Sequence, residues 1–298
     1  MIKEKKEKKI GKKFFIIFFL ILIIFFSIYF YKNYKNNKEK LEMTKPYNFE
    51  NIQTQRSEDF TDYITNYSKT TCEALLYKNI DDKKENQKCK EGVYLKTYGS
   101  KDGFSKVKFE DSFYYTKSEN LENVSKGDNF KVIKGILLVN TKYKLSEDFN
   151  PGFDKFVSNQ VDLMTIDAKR EKVDLDIYRD FISYEEQKQY RKNSPKFKNS
   201  IIYQLYDVPG HNESQIGECI DIISKDEDKN LNEKFKETKE FLWMKKNAHK
   251  YGFILRFPEN KEDITNYKFT PWHFRFVGVE VAKKIYDKDI TLEEFLKK

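Results

Sequence analysis

The chain is poor in the residues that build special scaffolds. Its 298 positions hold 3 Cys, 6 Pro, 11 Gly, 3 His and 2 Trp. So few cysteines exclude a disulfide-dense mini-domain, and the scarcity of Gly and Pro excludes collagen-like and low-complexity chains. Charge is abundant at 35%, as are aromatic side chains at 16%, with 26 Phe and 20 Tyr. That aromatic content supplies core material which a disordered chain lacks. The length suits one or two globular domains.

The formal charge of +8 is unevenly placed. Residues 1–13 carry seven Lys and two Glu, residues 32–41 carry four Lys and one Glu, and the chain from 42 onward is neutral overall. A nucleic-acid binder concentrates basic charge on its folded surface. Here the excess brackets an apolar segment instead, so no nucleic-acid partner is expected. The segment runs from Phe14 to Tyr31, 18 residues without a charge. That is the lower end of the ~17–25 residues that span a bilayer as a helix. Tyr29 and Tyr31 close it with rings suited to an interface. The alternative is a cleaved signal peptide, whose apolar region is usually ~7–15 residues and ends in a small-x-small site. Nothing of that kind follows Ser27. The expectation is an uncleaved single-pass anchor at 14–31, with the basic tail 1–13 in the cytoplasm and the rest extracytoplasmic. Cys72 and Cys89 are candidates for a disulfide, a link that stabilises by on the order of 3 kcal/mol. Two unpaired thiols are the alternative, and Cys219 stands alone.

Residues 32–56, rich in Lys and Asn, read as a stalk. Ser57 then offers an N-cap, and Phe60, Ile64, Tyr67 and Thr71 recur at helical spacing up to Leu75. From Val93 the pattern changes to short β-like runs punctuated by Gly99, Gly103 and Gly127. Residues 57–130 are therefore expected to form a small membrane-proximal α+β unit. A second unit, 131–298, opens with the apolar strand Ile136 to Val139. A helix is expected after Pro151 and Gly152 up to about Lys172, and Ser183 to Glu186 is a capping box for another through Tyr190. Leu231 to Lys250 reads as helical, with Phe235, Phe241, Leu242 and Ala248 inward and Gly252 as terminator. GFILRF and WHFRFVG read as strands, VEVAKKIY as a helix, and Thr291 to Glu294 as the cap of a last one. The predicted class is α+β, an antiparallel sheet with flanking helices.

Scarcity makes each histidine worth weighing. His249 lies in a helix, where a half-buried structural role is the simplest reading. His273 sits in PWHFRF among aromatics. His211 belongs to VPGHNESQIGECIDI, a loop that ends in apolar-Asp-apolar at Asp221, a geometry used by metal ligands and, more often, by turn-capping aspartates.

PGHNESQIGECID, followed some fifty residues on by YKFTPWHFRFVG, resembles the signature pair of the D-alanyl-D-alanine carboxypeptidases of the vancomycin-resistance type. These are zinc peptidases that trim peptidoglycan stem peptides. The resemblance covers about 131–298 and takes in ILLVNTKYKLSEDF, ISYEEQ and NAHKYGFILRFPENKEDIT. It implies a carboxypeptidase-like fold and a zinc site. In that family an S-x-H-x-x-G-x-A-x-D segment gives a His and an Asp to zinc, and a later W-H gives a second His. A Glu two residues before that Trp is the general base, and an Arg in G-Y-R-S-Y holds the substrate carboxylate.

Carried onto this chain, the resemblance assigns Asp221 and His273 as metal ligands and Gly217 as the family glycine. Ser183 and Trp272 match substrate-side positions. The remaining chemistry is substituted. The first ligand position is Ser214, the base position is Thr270 and the carboxylate-binding position is Ile182; Asn212 and Cys219 replace the motif's Ser and Ala. A catalytic zinc site normally has three ligands from His, Asp, Glu or Cys, and a serine hydroxyl parts with its proton reluctantly. A positioned general base contributes ~10²–10⁴-fold, which Thr270 cannot supply. Zinc is therefore expected to be weakly held or absent. A rebuilt centre would use His211 or Cys219 as the third ligand and Glu213 as base. The leading expectation is a membrane-anchored, extracytoplasmic relative with a degenerate site that binds stem peptides or regulates wall processing. An active zinc carboxypeptidase with a rearranged site and a scaffold for another envelope protein are the alternatives.

Overall fold

The computed structural model describes residue 29 and residues 60–297, apart from 62–63, 82–84, 111, 125–129, 194–207 and 225–230. The expected tail, anchor and stalk lie outside the described residues, Tyr29 excepted. Among the described residues no helix is long and apolar enough to cross a membrane.

Seven antiparallel strands come first: β1 (Asn66–Thr70), β2 (Ala74–Tyr77), β3 (Glu85–Cys89), β4 (Tyr94–Lys101), β5 (Phe104–Phe109), β6 (Ser112–Lys117) and β7 (Leu121–Asn123). They form one sheet in the order β3-β2-β6-β5-β4-β1-β7. The described part of this region holds one helical turn, Ser118–Asn120. The expected α+β unit is thus corrected to a β unit, and the helix expected from Ser57 to Leu75 to β1 and β2. Three or four side chains at helical spacing do not make a helix without tertiary support. Here the backbone of β1 pairs with β4 on one side and β7 on the other. Cys72 and Cys89 are both free thiols, Cys72 exposed and Cys89 buried opposite Ala74.

The rest of the chain builds two further sheets. β8 (Lys131–Ile133) and β9 (Ile136–Leu138) form a ribbon. β10 (Asp176–Arg179), β11 (Cys219–Ile223), β12 (Phe253–Leu255) and β13 (His273–Phe276) form an antiparallel sheet in the order β10-β11-β13-β12. The helices are α1 (Lys155–Arg170), α2 (Tyr184–Asn193), α3 (Lys239–Asn247), α4 (Glu262–Thr265), α5 (Val279–Lys288) and α6 (Leu292–Lys297). Mixed α/β architecture with antiparallel sheets and flanking helices matches the expectation.

α1 begins where Asp154 accepts hydrogen bonds from the amides of Phe156 and Val157, and it buries Val157, Val161, Met164 and Ala168. These side chains pack on Ile220, Ile222, Trp272 and Phe274 of the sheet, together with Phe241, Trp243 and Met244 of α3. Cys219 and Asp221 alternate with Ile220 and Ile222 and so point to the opposite face. The stretch 231–250 is segmented rather than one helix, a 3-10 turn at Glu233–Glu237 preceding α3 and another at Ala248–Tyr251 following it. The break shifts the helical phase, so Leu242 is 60% exposed while Trp243 and Met244 are buried, which corrects Leu242 as an inward residue. Gly252 ends the segment with φ of 87°, as expected of a helix terminator.

The two regions share a core. Tyr67 of β1 packs on Phe130, Leu137, Val139, Leu145, Phe149 and Ile216. A buried ionic cluster lies beside it: Lys96 of β4 donates to Asp154 at 2.7 Å and bonds Glu218, which also accepts from Arg275 at 2.7 Å.

Candidate functional site

The site is a row of side chains laid across the four-stranded sheet. In register, Arg179 of β10 lies opposite Asp221 of β11, and Asp221 lies opposite His273 of β13. Directly opposed residues share a face and touch. One step further, the Arg256 amide, just beyond β12, bonds the His273 carbonyl at 3.2 Å. The row therefore alternates in charge type.

A loop closes over it. Asn212 caps a short 3-10 turn by accepting from the Ser214 amide at 2.9 Å. Gln215 donates to the carbonyls of Ser146 and Phe149 at 3.0 and 2.8 Å and accepts from Gln187 of α2 at 2.8 Å. Gly217 sits at φ +76°, where a Cβ would meet the Gly152 carbonyl oxygen at 1.9 Å. No other residue fits that turn. Held this way, the loop delivers the Glu213 carboxylate into the row. Glu213 Oε1 lies 3.1 Å from His273 Nε2, and Oε2 accepts from Arg256 Nε at 2.9 Å. Asp221 Oδ1 lies 2.6 Å from His273 Nδ1, and Arg256 makes a bidentate pair with Glu293 at 2.6 and 2.9 Å. All of this is buried; His273 and Arg256 are 0% exposed.

The electrostatics follow from the contacts. Burial by itself favours neutral imidazole, but the Asp221 bond and charge, with Cys219 and Glu213, raise the His273 pKa well above its usual value. Burial also opposes ionising Glu213, yet Arg256, the His273 bond and Arg275 push its carboxyl down to about 2. Burial and the Glu213 charge push the Cys219 thiol up. His273 is thus an imidazolium held at both ring nitrogens. Along one line of contacts Arg179, Asp221, His273, Glu213, Arg256 and Glu293 alternate in sign, and their charges cancel.

Zinc is the metal the family resemblance implies, and this donor set does not fit it. A metal bound through His273 Nδ1 has to displace a proton and part the 2.6 Å bond to Asp221. His273 Nε2 is engaged by Glu213. The third family position is the hydroxyl of Ser214, a poor ligand. Among the described residues, ligand atoms of Glu213, Cys219 and His273 converge within 4.8 Å. There the thiol's raised pKa opposes the thiolate that a metal requires.

The other expected residues fall as follows. His211 is turned away: its Nδ1 lies 2.7 Å from the Asn140 carbonyl and its own carbonyl accepts from Tyr267. The Thr270 hydroxyl donates to the Lys268 carbonyl at 2.8 Å. Ile182 is buried against Phe257 and Tyr267. The Ser183 hydroxyl bonds Glu186 at 2.6 Å in the expected capping box. Trp272 is fully buried, its indole N–H without a partner. His249 stacks on Tyr286 at 3.8 Å, a structural role as anticipated. Sequence reasoning missed Arg256, Glu293 and Arg179. A lone Arg in GFILRF reads as the solvent side of a strand, and only register reveals the row.

A family model described as VanY: D-alanyl-D-alanine carboxypeptidase matches residues 151–279. YodJ of Bacillus subtilis (strain 168), named as a carboxypeptidase, is 33% identical over 218 residues, 63% of this chain and 78% of that protein. A D-alanyl-D-alanine carboxypeptidase of Enterococcus faecalis (strain ATCC 700802 / V583) is 39% identical over 89 residues, 30% of this chain and 31% of its own. Among solved structures, the LdcB LD-carboxypeptidase is 33% identical with a TM-score of 0.49, covering 57% of this chain and 94% of that one. A VanY D,D-pentapeptidase solved with Zn(II) is 26% identical with a TM-score of 0.44, covering 53% and 97%.

Proposed function

Because this chain belongs to the D-alanyl-D-alanine carboxypeptidase (VanY) family, we propose that it keeps the family's cleft as a binding site and has lost the chemistry. In this reading it is a membrane-anchored, extracytoplasmic protein of the cell envelope that holds peptidoglycan stem peptides without trimming them. The observation that carries the reading is His273, bonded at 2.6 Å to Asp221 and at 3.1 Å to Glu213. An imidazolium gripped from both sides has no lone pair to give a metal. Thr270 and Ser214 at the base and ligand positions point the same way, since neither side chain accepts a proton or binds a cation well near neutral pH. The relatives' names supply the ligand class, peptides ending in D-alanine.

The test uses the full chain purified from membranes and dialysed against excess zinc. Zinc bound well below one ion per chain, no D-alanine released from an acyl-D-alanyl-D-alanine peptide, and saturable binding of that peptide are the expected results. Stoichiometric zinc with turnover establishes the rearranged enzyme, whose ligands would be Glu213, Cys219 and His273. Neither turnover nor peptide binding leaves the scaffold reading. The anchor is tested separately: residues 14–31 should hold the chain in the membrane fraction, with the region beyond 42 open to protease added outside the cell.

A further inference from the structure

The family's carboxylate-binding arginine position is Ile182 here, sealed in an apolar cluster with Phe257 and Tyr267. A peptide that ends in a carboxylate then needs another cation, since a buried charge without a partner is costly. We propose that Arg179 is that cation, a claim that rests on the stem-peptide reading above and names how the site recognises its ligand.

Three observations converge on it. First, the ladder between β10 and β11 is irregular between Ile177 and Arg179. Such bulges re-aim side chains beside functional sites. Here the irregularity leaves Tyr178 43% exposed while Arg179 falls opposite Asp221, the residue at the family's ligand position. Second, the guanidinium lies between two aromatic rings, 5.3 Å from the Tyr178 centroid and 5.1 Å from that of Tyr190 on α2. Tyr190 is 44% exposed. Rings that open to solvent on either side of a planar cation hold it flat and pre-organised, the geometry that suits bidentate recognition of a carboxylate. Third, its ion pair with Asp221 is 3.7 Å long, longer than a hydrogen bond. Asp221 spends its short bond on His273. It orients Arg179 electrostatically, and a guanidinium has five N–H donors to share. Glu186, whose charge also reaches Arg179, is held by the amide and hydroxyl of Ser183 at 2.8 and 2.6 Å. A ligand carboxylate at Arg179 therefore sits at one end of the charge row, beside Asp221 and outside the buried His273–Glu213 pair.

The experiment measures binding of two probes to the full chain by calorimetry: acyl-D-alanyl-D-alanine with a free carboxylate, and the same peptide as its C-terminal amide. The parent is expected to prefer the carboxylate by about tenfold or more, in line with a charge-assisted bidentate pair. Arg179→Gln should abolish that preference while leaving the amide's affinity unchanged. Arg179→Lys, a point charge without the fork, should keep part of it. Should Arg179→Gln fold poorly, Arg179→Lys and the surface change Tyr190→Ala carry the test, each lowering the carboxylate-to-amide ratio. A merely structural role for Arg179 would shift the melting temperature and leave the ratio intact. A folded Arg179→Gln protein that retains the preference, or a parent that has none, overturns the proposal and leaves stem-peptide binding standing. A parent that binds neither probe overturns both.

Discussion

Glu213 is the residue on which the site turns, because it faces two cations at once. Removing its charge leaves Arg256 buried with Glu293 alone and His273 with Asp221 alone. Breaking a buried pair from one side is strongly destabilising. Glu213→Gln is therefore expected to lower unfolding free energy by about 3 kcal/mol, read from urea denaturation at neutral pH. The pH dependence has two limbs of opposite sign. The Glu213 carboxyl titrates in the fold at about 2, below its ordinary 4.5. Its contribution is thus present above 4.5 and lost as pH falls toward 2. The His273 pKa is raised from its ordinary 6.5, so its contribution is full below 6.5 and fades as pH rises through the elevated folded value. Urea midpoints measured across pH should fall on both sides, and Glu213→Gln should flatten the acid limb. Cysteine reactivity separates by place. Cys72 is exposed, the Cys89 thiol is pushed up to about 11 by burial, and Cys219 is buried in the charge row. A thiol reagent should label one cysteine rapidly in the native protein and the other two only on unfolding.

At the scale of elements, the signals legible in the sequence were those that act within a few residues. The capping box of α2 is one: Glu186 accepts from the Ser183 amide while the Ser183 hydroxyl bonds the Glu186 amide at 3.2 Å. Ser183→Ala should cost about 1 kcal/mol, seen as a lower melting temperature with unchanged peptide binding. The box at Thr291 and Glu294 has the same form. β1 was not legible, because its five residues are held by ladders to β4 and β7, partners more than twenty-five residues away at the pairing positions. The motif loop lies between these cases. Its glycine was identified by likeness to the family, whereas the reason for it, the approach of the Gly152 carbonyl, is a tertiary contact. Gly217→Ala is expected to cost more than about 3 kcal/mol, in the range of severe strain. It should also displace Glu213, so denaturation and peptide binding should both register the change.

At the scale of the whole molecule, the β unit and the carboxypeptidase-like region are joined by an apolar core around Tyr67 and by the ionic cluster of Lys96, Asp154, Glu218 and Arg275. Glu218 precedes Cys219, so the cluster ties the strand that carries the site to the sheet beside it. Lys96→Met leaves Asp154 and Glu218 without that cation and is expected to cost about 3 kcal/mol, measurable as a single shifted unfolding transition. A fragment of residues 131–298 should be unstable or aggregate, since it exposes Leu137, Phe149 and Ile216 where Tyr67 packs; limited proteolysis checks this. The family, the helix caps and the substituted positions Ser214, Thr270 and Ile182 were readable from the chain, because residue type and short spacing carry them. Tertiary contacts settled the rest. Arg179, Asp221, His273 and Arg256 are separated by as many as 94 positions, and no local rule aligns them. Strand register brings them together, and low dielectric then turns four ordinary side chains, with Glu213 laid over them, into a row of alternating charge.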